Sequence, residues 1–460
     1  MKKLAIIFGI SAGALLLIHA QDRTTIKITG GTKPKLAVPD FRGSGDAQRL
    51  MAVFNQTLWT DLQNSGLFDL TPKTSMPLFI PQQPSDFQQP REPAPGRRGR
   101  QPQPQNGGGH WMKDWSDPPL GATHLAFGYT AAQNGVLVLL GWVYDLAQSN
   151  PANARLIGNR YAATVDEAGA RKIAHEFAAD IIAAGGGQSL FGTHIYFTST
   201  RTGHKEIWRM DFDGKNQRQI THFNNLTDFA SVSPDGTKIA CTSWVNGPPA
   251  IFVFSVEPVR KYSFFNQTAS VNATPSFTKD GKQILYSSSV GPGCCRIFIA
   301  NLDGTGFKPI SPYSSIDVEP KVNPRTGNDI VFTSGRSGPH QVYRMNMDGA
   351  DIERLTPGNG EAGNPSWHPN GQMIAFSWTQ GYATGGYNIF WMDVANPTQY
   401  KQLTHGEGKN ENPSWSPDGT HIVFGSTRRG RSQIYSMLAD GSNVQQLTDA
   451  GENMRPVWGK

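Results

Sequence analysis

Asn412-Pro413-Ser414-Trp415-Ser416-Pro417-Asp418-Gly419 carries a short strand into a turn, and Ile422-Val423-Phe424 begins the next strand. The same turn recurs as Ser233-Pro234-Asp235-Gly236, Lys279-Asp280-Gly281, Asn323-Pro324-Arg325-Thr326-Gly327 and His368-Pro369-Asn370-Gly371. Ser, Pro and Gly at the first, second and fourth places suit a type I β-turn, because Pro presets φ and Gly tolerates the exit. The step of about 45 residues is the length of one four-stranded propeller blade.

The surroundings of the turns repeat too. Before them stand Ala273-Thr274-Pro275-Ser276-Phe277, Val318-Glu319-Pro320 and Asn364-Pro365-Ser366-Trp367. After them come apolar runs such as Ile239-Ala240-Cys241, Ile284-Leu285-Tyr286, Ile330-Val331-Phe332 and Ile374-Ala375-Phe376. Second runs follow, among them Ile251 to Phe254, Ile297 to Ile299 and Ile389 to Met392, and then short segments ending like Arg354-Leu355-Thr356. Each unit therefore holds strands rich in β-branched and aromatic residues between turn signals.

The ends of the array argue for a closed ring. The first unit, from Thr193-His194-Ile195-Tyr196-Phe197 through Ile207 to Met210 and Arg218-Gln219-Ile220, lacks the strand before its turn; Met454-Arg455-Pro456-Val457-Trp458 supplies one of that kind. Pairing the two ends removes exposed sheet edges. The expected fold is mainly β, a six-bladed β-propeller over residues 188–460, preceded by a small α/β domain over 21–187.

Lys2-Lys3 and the apolar stretch from Leu4 to Ile18, with Ala20 before Gln21-Asp22, read as a signal peptide over residues 1–20. The mature chain is expected to be exported, not membrane-spanning after cleavage, and monomeric. Three cysteines in 460 residues exclude a disulfide-built scaffold. Cys241 falls in an apolar strand; Cys294-Cys295 could be thiols or a vicinal bridge. A formal charge of +6 is small for this length and argues against nucleic acid.

In the amino-terminal domain, Asp46 to Asn64 places Leu50, Phe54, Leu58 and Leu62 on one helix face, with Gly66 to end it. A second helix over Asp166 to Ala184 carries Ile173, Phe177 and Ile181. Strands are expected at Leu36 to Val38, Leu67-Phe68, Leu125 to Phe127, Val136 to Leu140 and Leu156-Ile157, giving one α/β layer. Residues 81–109, rich in Pro, Gln, Gly and Arg, are too polar to build a core and are expected to form a disordered loop.

Catalytic motifs are nearly absent. Gly9-Ile10-Ser11-Ala12-Gly13 matches a nucleophile elbow but lies in the export signal; His175-Glu176 lacks the second histidine of a zinc helix, since position 179 is Ala. Asp211-Phe212-Asp213-Gly214 resembles the start of a calcium loop without the later ligands. His222 and His405 occupy the same place in two neighbouring blades, but two ligands complete no metal site. No enzyme, cofactor or metal is expected.

Taken together, Val38-Pro39-Asp40-Phe41, Leu62 to Phe68, Ala174 to Asp180 and the blades closing on Arg455-Pro456-Val457-Trp458 resemble the TolB family of the Tol-Pal system. Departures are the basic Pro/Gln insertion, the vicinal cysteines and Val256-Glu257-Pro258-Val259, which replaces an Asp-Gly turn. The resemblance implies a periplasmic binding protein that takes the Pal lipoprotein at one mouth of the propeller and TolA through a segment just after the signal. It supports outer-membrane invagination at division and outer-membrane integrity, and other outer-membrane proteins are further candidate partners. The loops before the innermost strands would form the Pal surface, with Asn272, Thr274, Val318, Glu319, Asn364, Glu411, Asn412 and Arg455. Glu319 falls where that family often has an acidic residue before proline. The TolA segment would hold Arg23, Thr24, Thr25, Ile26, Lys27 and Ile28, ahead of a Gly30-Gly31 hinge. The competing reading is a secreted propeller hydrolase or lyase acting on a polymer in its channel, which would need a convergent carboxylate, histidine or metal cluster.

Overall fold

The computed structural model describes residues 33–88, 110–148, 150–269, 271–291, 294–312 and 315–460. The expected signal peptide, 1–20, and the expected TolA segment, Arg23 to Ile28, lie outside the described residues.

A six-stranded mixed sheet builds the amino-terminal domain. Lys35–Ala37 lies parallel to Asp69–Leu70 on one side and to His124–Gln133 on the other. His124–Gln133, Val136–Asp145 and Arg155–Thr164 then run antiparallel. The two long helices, Met51–Asn64 and Glu167–Ala184, bury Phe54, Leu58, Leu62, Ile173, Phe177 and Ile181 against that sheet, the stripe their sequence spacing requires. Asp166 caps the second helix by accepting from Gly169 N at 2.7 Å.

Three local expectations are corrected. The first helix is preceded by a separate 3₁₀ turn, Gly45–Leu50, because a tighter turn satisfies orphan donors at a helix start. The strand expected at Leu67-Phe68 begins two residues later, since Gly66 turns the chain at φ +65° and Phe68 enters the core. Residues 81–88 belong to the folded domain: Asp86 accepts from Gln82 N and Gln83 N, and Phe87 packs on Phe127 and Tyr144. One apolar anchor orders the first part of that polar segment; residues 89–109 of it lie outside the described residues.

Six four-stranded antiparallel sheets follow, and each of blades two to six runs inner to outer in chain order. Blade one is composite. Its innermost strand, Asn453–Gly459, pairs with His194–Ser199, Trp458 opposite Ile195, before Glu206–Asp211 and Arg218–Gln219. Blade cores interlock with their neighbours; Val331 and Val342 of one blade share a cluster with Phe376, Trp378 and Phe390 of the next. In blade two, Val256 pairs with Val259 around Glu257-Pro258, and Glu257 reaches Arg209 and Arg218 of blade one at 2.8 and 2.5 Å. The sulfurs of Cys294 and Cys295 are bonded, and Cys241 is a buried free thiol.

The domains meet at a buried polar seam. His175 on the second long helix binds Asp61 of the first at 2.6 Å through Nδ1, and its Nε2 faces Asp213 of blade one at 3.6 Å. Burial disfavours the imidazolium, but the two carboxylates overcome it and push His175 up to about 9. Asn64 adds bonds to Asn443 and Gln445 of blade six.

Candidate functional site

Each innermost strand contains one residue more than its neighbour can match. In blade two, Asp228 pairs with Thr242 and Ser231 with Ala240, so Phe229 and Ala230 oppose a single residue; equivalent shifts fall at Thr274-Pro275, Glu319-Pro320, Asn364-Pro365, Asn412-Pro413 and Arg455-Pro456. These are β-bulges, which re-aim side chains. The first residue of each bulge is left-handed: Phe229, Thr274, Glu319, Asn364, Asn412 and Arg455 have φ between +49° and +56°. Such angles are uncommon outside glycine and cost free energy that surrounding structure must hold. Proline suits the second place because, lacking an N–H, it leaves no donor stranded where the ladder is broken.

What holds the bulges is a chain of bonds around the channel. Thr242 Oγ1 accepts from Thr274 N, Thr274 Oγ1 from Glu319 N, and Glu319 Oε2 from Asn364 N at 2.9 Å. Ser377 Oγ accepts from Asn412 N at 3.0 Å. The Glu319 carboxylate also accepts from Asn364 Nδ2 at 2.7 Å and Thr333 Oγ1 at 2.8 Å. Across the ring closure, Arg455 Nη1 donates to Asp228 Oδ2 at 2.5 Å and its guanidinium lies 4.4 Å from the centre of the Phe229 ring. Asp228 is buried and also accepts from Thr198 Oγ1 and Phe229 N. All six bulge residues line one lumen of about 290 Å³ on the propeller axis.

The sequence-expected residues divide accordingly. Thr274, Glu319, Asn364, Asn412 and Arg455 share this lumen, although they sit within the innermost strands and not in the loops ahead of them. The bulge explains the difference, turning a strand residue toward the opening. Asn272 is corrected: it is 2 % exposed, donating to Gln267 O and accepting from Ser288 Oγ, and so braces the blade. Val318 and Glu411 are half-buried beside the bulges without lining the lumen, and Glu411 pairs with Lys409 at 2.9 Å.

Sequence reasoning missed Phe229 and Asp228, because Ala230 breaks the proline signature. The signal was present: Phe229 precedes Thr274 by the 45 residues that separate Thr274 from Glu319 and Glu319 from Asn364. His222 and His405 are both exposed, and among the described residues no group of three or more His, Cys, Asp or Glu is placed to hold a metal ion. No helix among the described residues is long and apolar enough to cross a membrane.

Comparison with known proteins fits this architecture. A family model described as the TolB beta propeller domain matches residues 183–381 and 358–460. A TolB homolog of Chlorobium luteolum is 33% identical over 343 residues, 74% of this chain and 75% of the relative. Another, from Chlorobium chlorochromatii, is 32% identical over 258 residues, 56% of this chain and 46% of the relative. The crystal structure of TolB from Acinetobacter baumannii superposes with a TM-score of 0.72 at 22% identity, covering 93% of this chain and 97% of that one, a likeness of fold.

Proposed function

We propose, because the chain belongs to the TolB β-propeller family, that it is a periplasmic, non-enzymatic interaction component of the Tol-Pal system. Pal binds at the channel mouth, and TolA takes the segment from Arg23 to Ile28. In this reading the protein links outer-membrane invagination at division to envelope integrity.

The observation that carries the reading is the ring of six left-handed, non-glycine bulge residues around one opening. Backbone strain repeated in every blade and converging on one rim fits a preorganised surface. The charges there suit protein recognition more than bond making. Glu319 is occupied by three donors and Arg455 by Asp228, so both of these groups fix geometry.

Titration calorimetry of the mature protein against purified Pal and purified TolA tests the proposal. Saturable binding of both is expected. Binding of neither would remove the reading.

A further inference from the structure

Two residues beyond the bulge, five blades place Ser231, Ser276, Ser366, Ser414 and Val457 along the lumen; blade four places Lys321 there. The Lys321 ammonium makes no hydrogen bond or ion pair among the described residues. It is half-buried by area because the lumen is open, yet protein walls surround it. The nearby Glu319 carboxylate attracts it without pairing, having been taken by Asn364 and Thr333. Facing it from blade one, opposite in a ring of six, is Arg455, whose buried Nε also has no partner.

The serines complete the donor set. Ser366 Oγ accepts from Trp415 N and Ser414 Oγ from Trp458 N, so each keeps its own proton to donate. The hydroxyls of Ser231 and Ser276 have no partner among the described residues. Lys321 and the four serines can thus all donate into this part of the lumen. An ammonium walled in by protein and paired with no carboxylate costs desolvation, and burial accordingly lowers the Lys321 pKa, with nearby Glu319 opposing. An anion entering the lumen relieves that cost.

We propose that the channel lumen below the mouth is a binding site for a small carboxylate, held by Lys321 Nζ and by serine hydroxyls of the neighbouring blades. Carboxylate is favoured over phosphate by the walls. Proline rings of the bulges and the rings of Phe277 and Trp367 line the same space and suit a ligand with a carbon body, which phosphate lacks. The inference does not depend on any protein partner.

Calorimetry and thermal shift with the full chain test it, with malonate as the probe against phosphate and chloride at matched ionic strength. Malonate is expected to bind and to raise the melting temperature more than either control. Lys321→Ser, which installs the side chain found in four other blades, should weaken malonate at least tenfold, and Lys321→Arg should retain it. Equal malonate affinity in the wild type and Lys321→Ser would overturn the assignment, as would phosphate binding as tightly as malonate. The melting temperature of each variant without ligand reports whether it has folded.

Discussion

Asp213, in the turn between Glu206–Asp211 and Arg218–Gln219 of blade one, faces Nε2 of His175 at 3.6 Å and so brings a charge of one domain to a cation of the other. The sign of the resulting pH dependence is fixed. His175 is raised from its ordinary value near 6.5 to about 9, so its contribution is complete below 6.5 and is lost as pH rises through 9. A shift of that size corresponds to stability on the order of 3 kcal/mol. Denaturant midpoints should fall between pH 6.5 and 9 in the wild type and stay level over that window in His175→Gln. A wild-type midpoint that does not change across it would sink the account.

Glu319→Lys combined with Asn364→Ala is expected to weaken Pal binding by several kcal/mol, since a reversed charge at a partly buried interface adds repulsion and desolvation. The structure adds a cost to the fold as well. Removing the acceptor of Asn364 N should lower stability by about 1–3 kcal/mol, an effect Glu319→Gln should largely avoid. Calorimetry against Pal beside a melting curve separates the two. Full affinity in a folded double variant moves the interface elsewhere.

Arg455 stabilises the closure through Asp228, which is 3 % exposed. Arg455→Ala leaves that carboxylate with only Lys205, at 3.9 Å, as a counter-charge, and should cost about 3 kcal/mol. Deleting Arg455 to Lys460 should cost far more, because it strips most of the inner strand of blade one and opens sheet edges. Equal melting temperatures for full and truncated chains would be incompatible with the composite blade.

At Asn412, φ is +55°, so Asn412→Gly should melt no lower than the wild type, whereas Asn412→Val should lose about 1–3 kcal/mol. The reverse order in thermal melts would show that the bulge is unstrained.

Deleting Gln21 to Thr29 is expected to abolish TolA binding and spare Pal binding, because alternating Arg23, Thr24, Thr25, Ile26, Lys27 and Ile28 suit pairing with a partner's sheet edge. Undiminished capture of TolA by the truncated chain would relocate that contact.

Much of the architecture was legible because it repeats. Ser416-Pro417-Asp418-Gly419 and its counterparts mark hairpins locally, and Met454 to Trp458 supplies the strand that the first unit lacks. The helix faces of Phe54, Leu58, Ile173 and Phe177 were equally readable, since spacing alone assigns them to a core. The bulge was not legible. Nothing in Asn364-Pro365 distinguishes a loop before a strand from a left-handed residue inside one, a choice made by ladder register across blades. The role of His175 was hidden for a related reason, as Asp61 lies 114 positions away and Asp213 in another domain.

The composite blade also has a mechanical consequence. His194–Ser199 is the first propeller strand after the amino-terminal domain, and its ladder partner is the chain's last strand, paired from Asn453–Ser199 to Gly459–His194. Tension entering from the amino-terminal domain reaches this ladder at His194, while the last strand is tethered to the ring at Asn453, the opposite end. The hydrogen bonds are therefore loaded together, in shear, and do not peel one after another. A pull on one domain is resisted by the seam that closes the other.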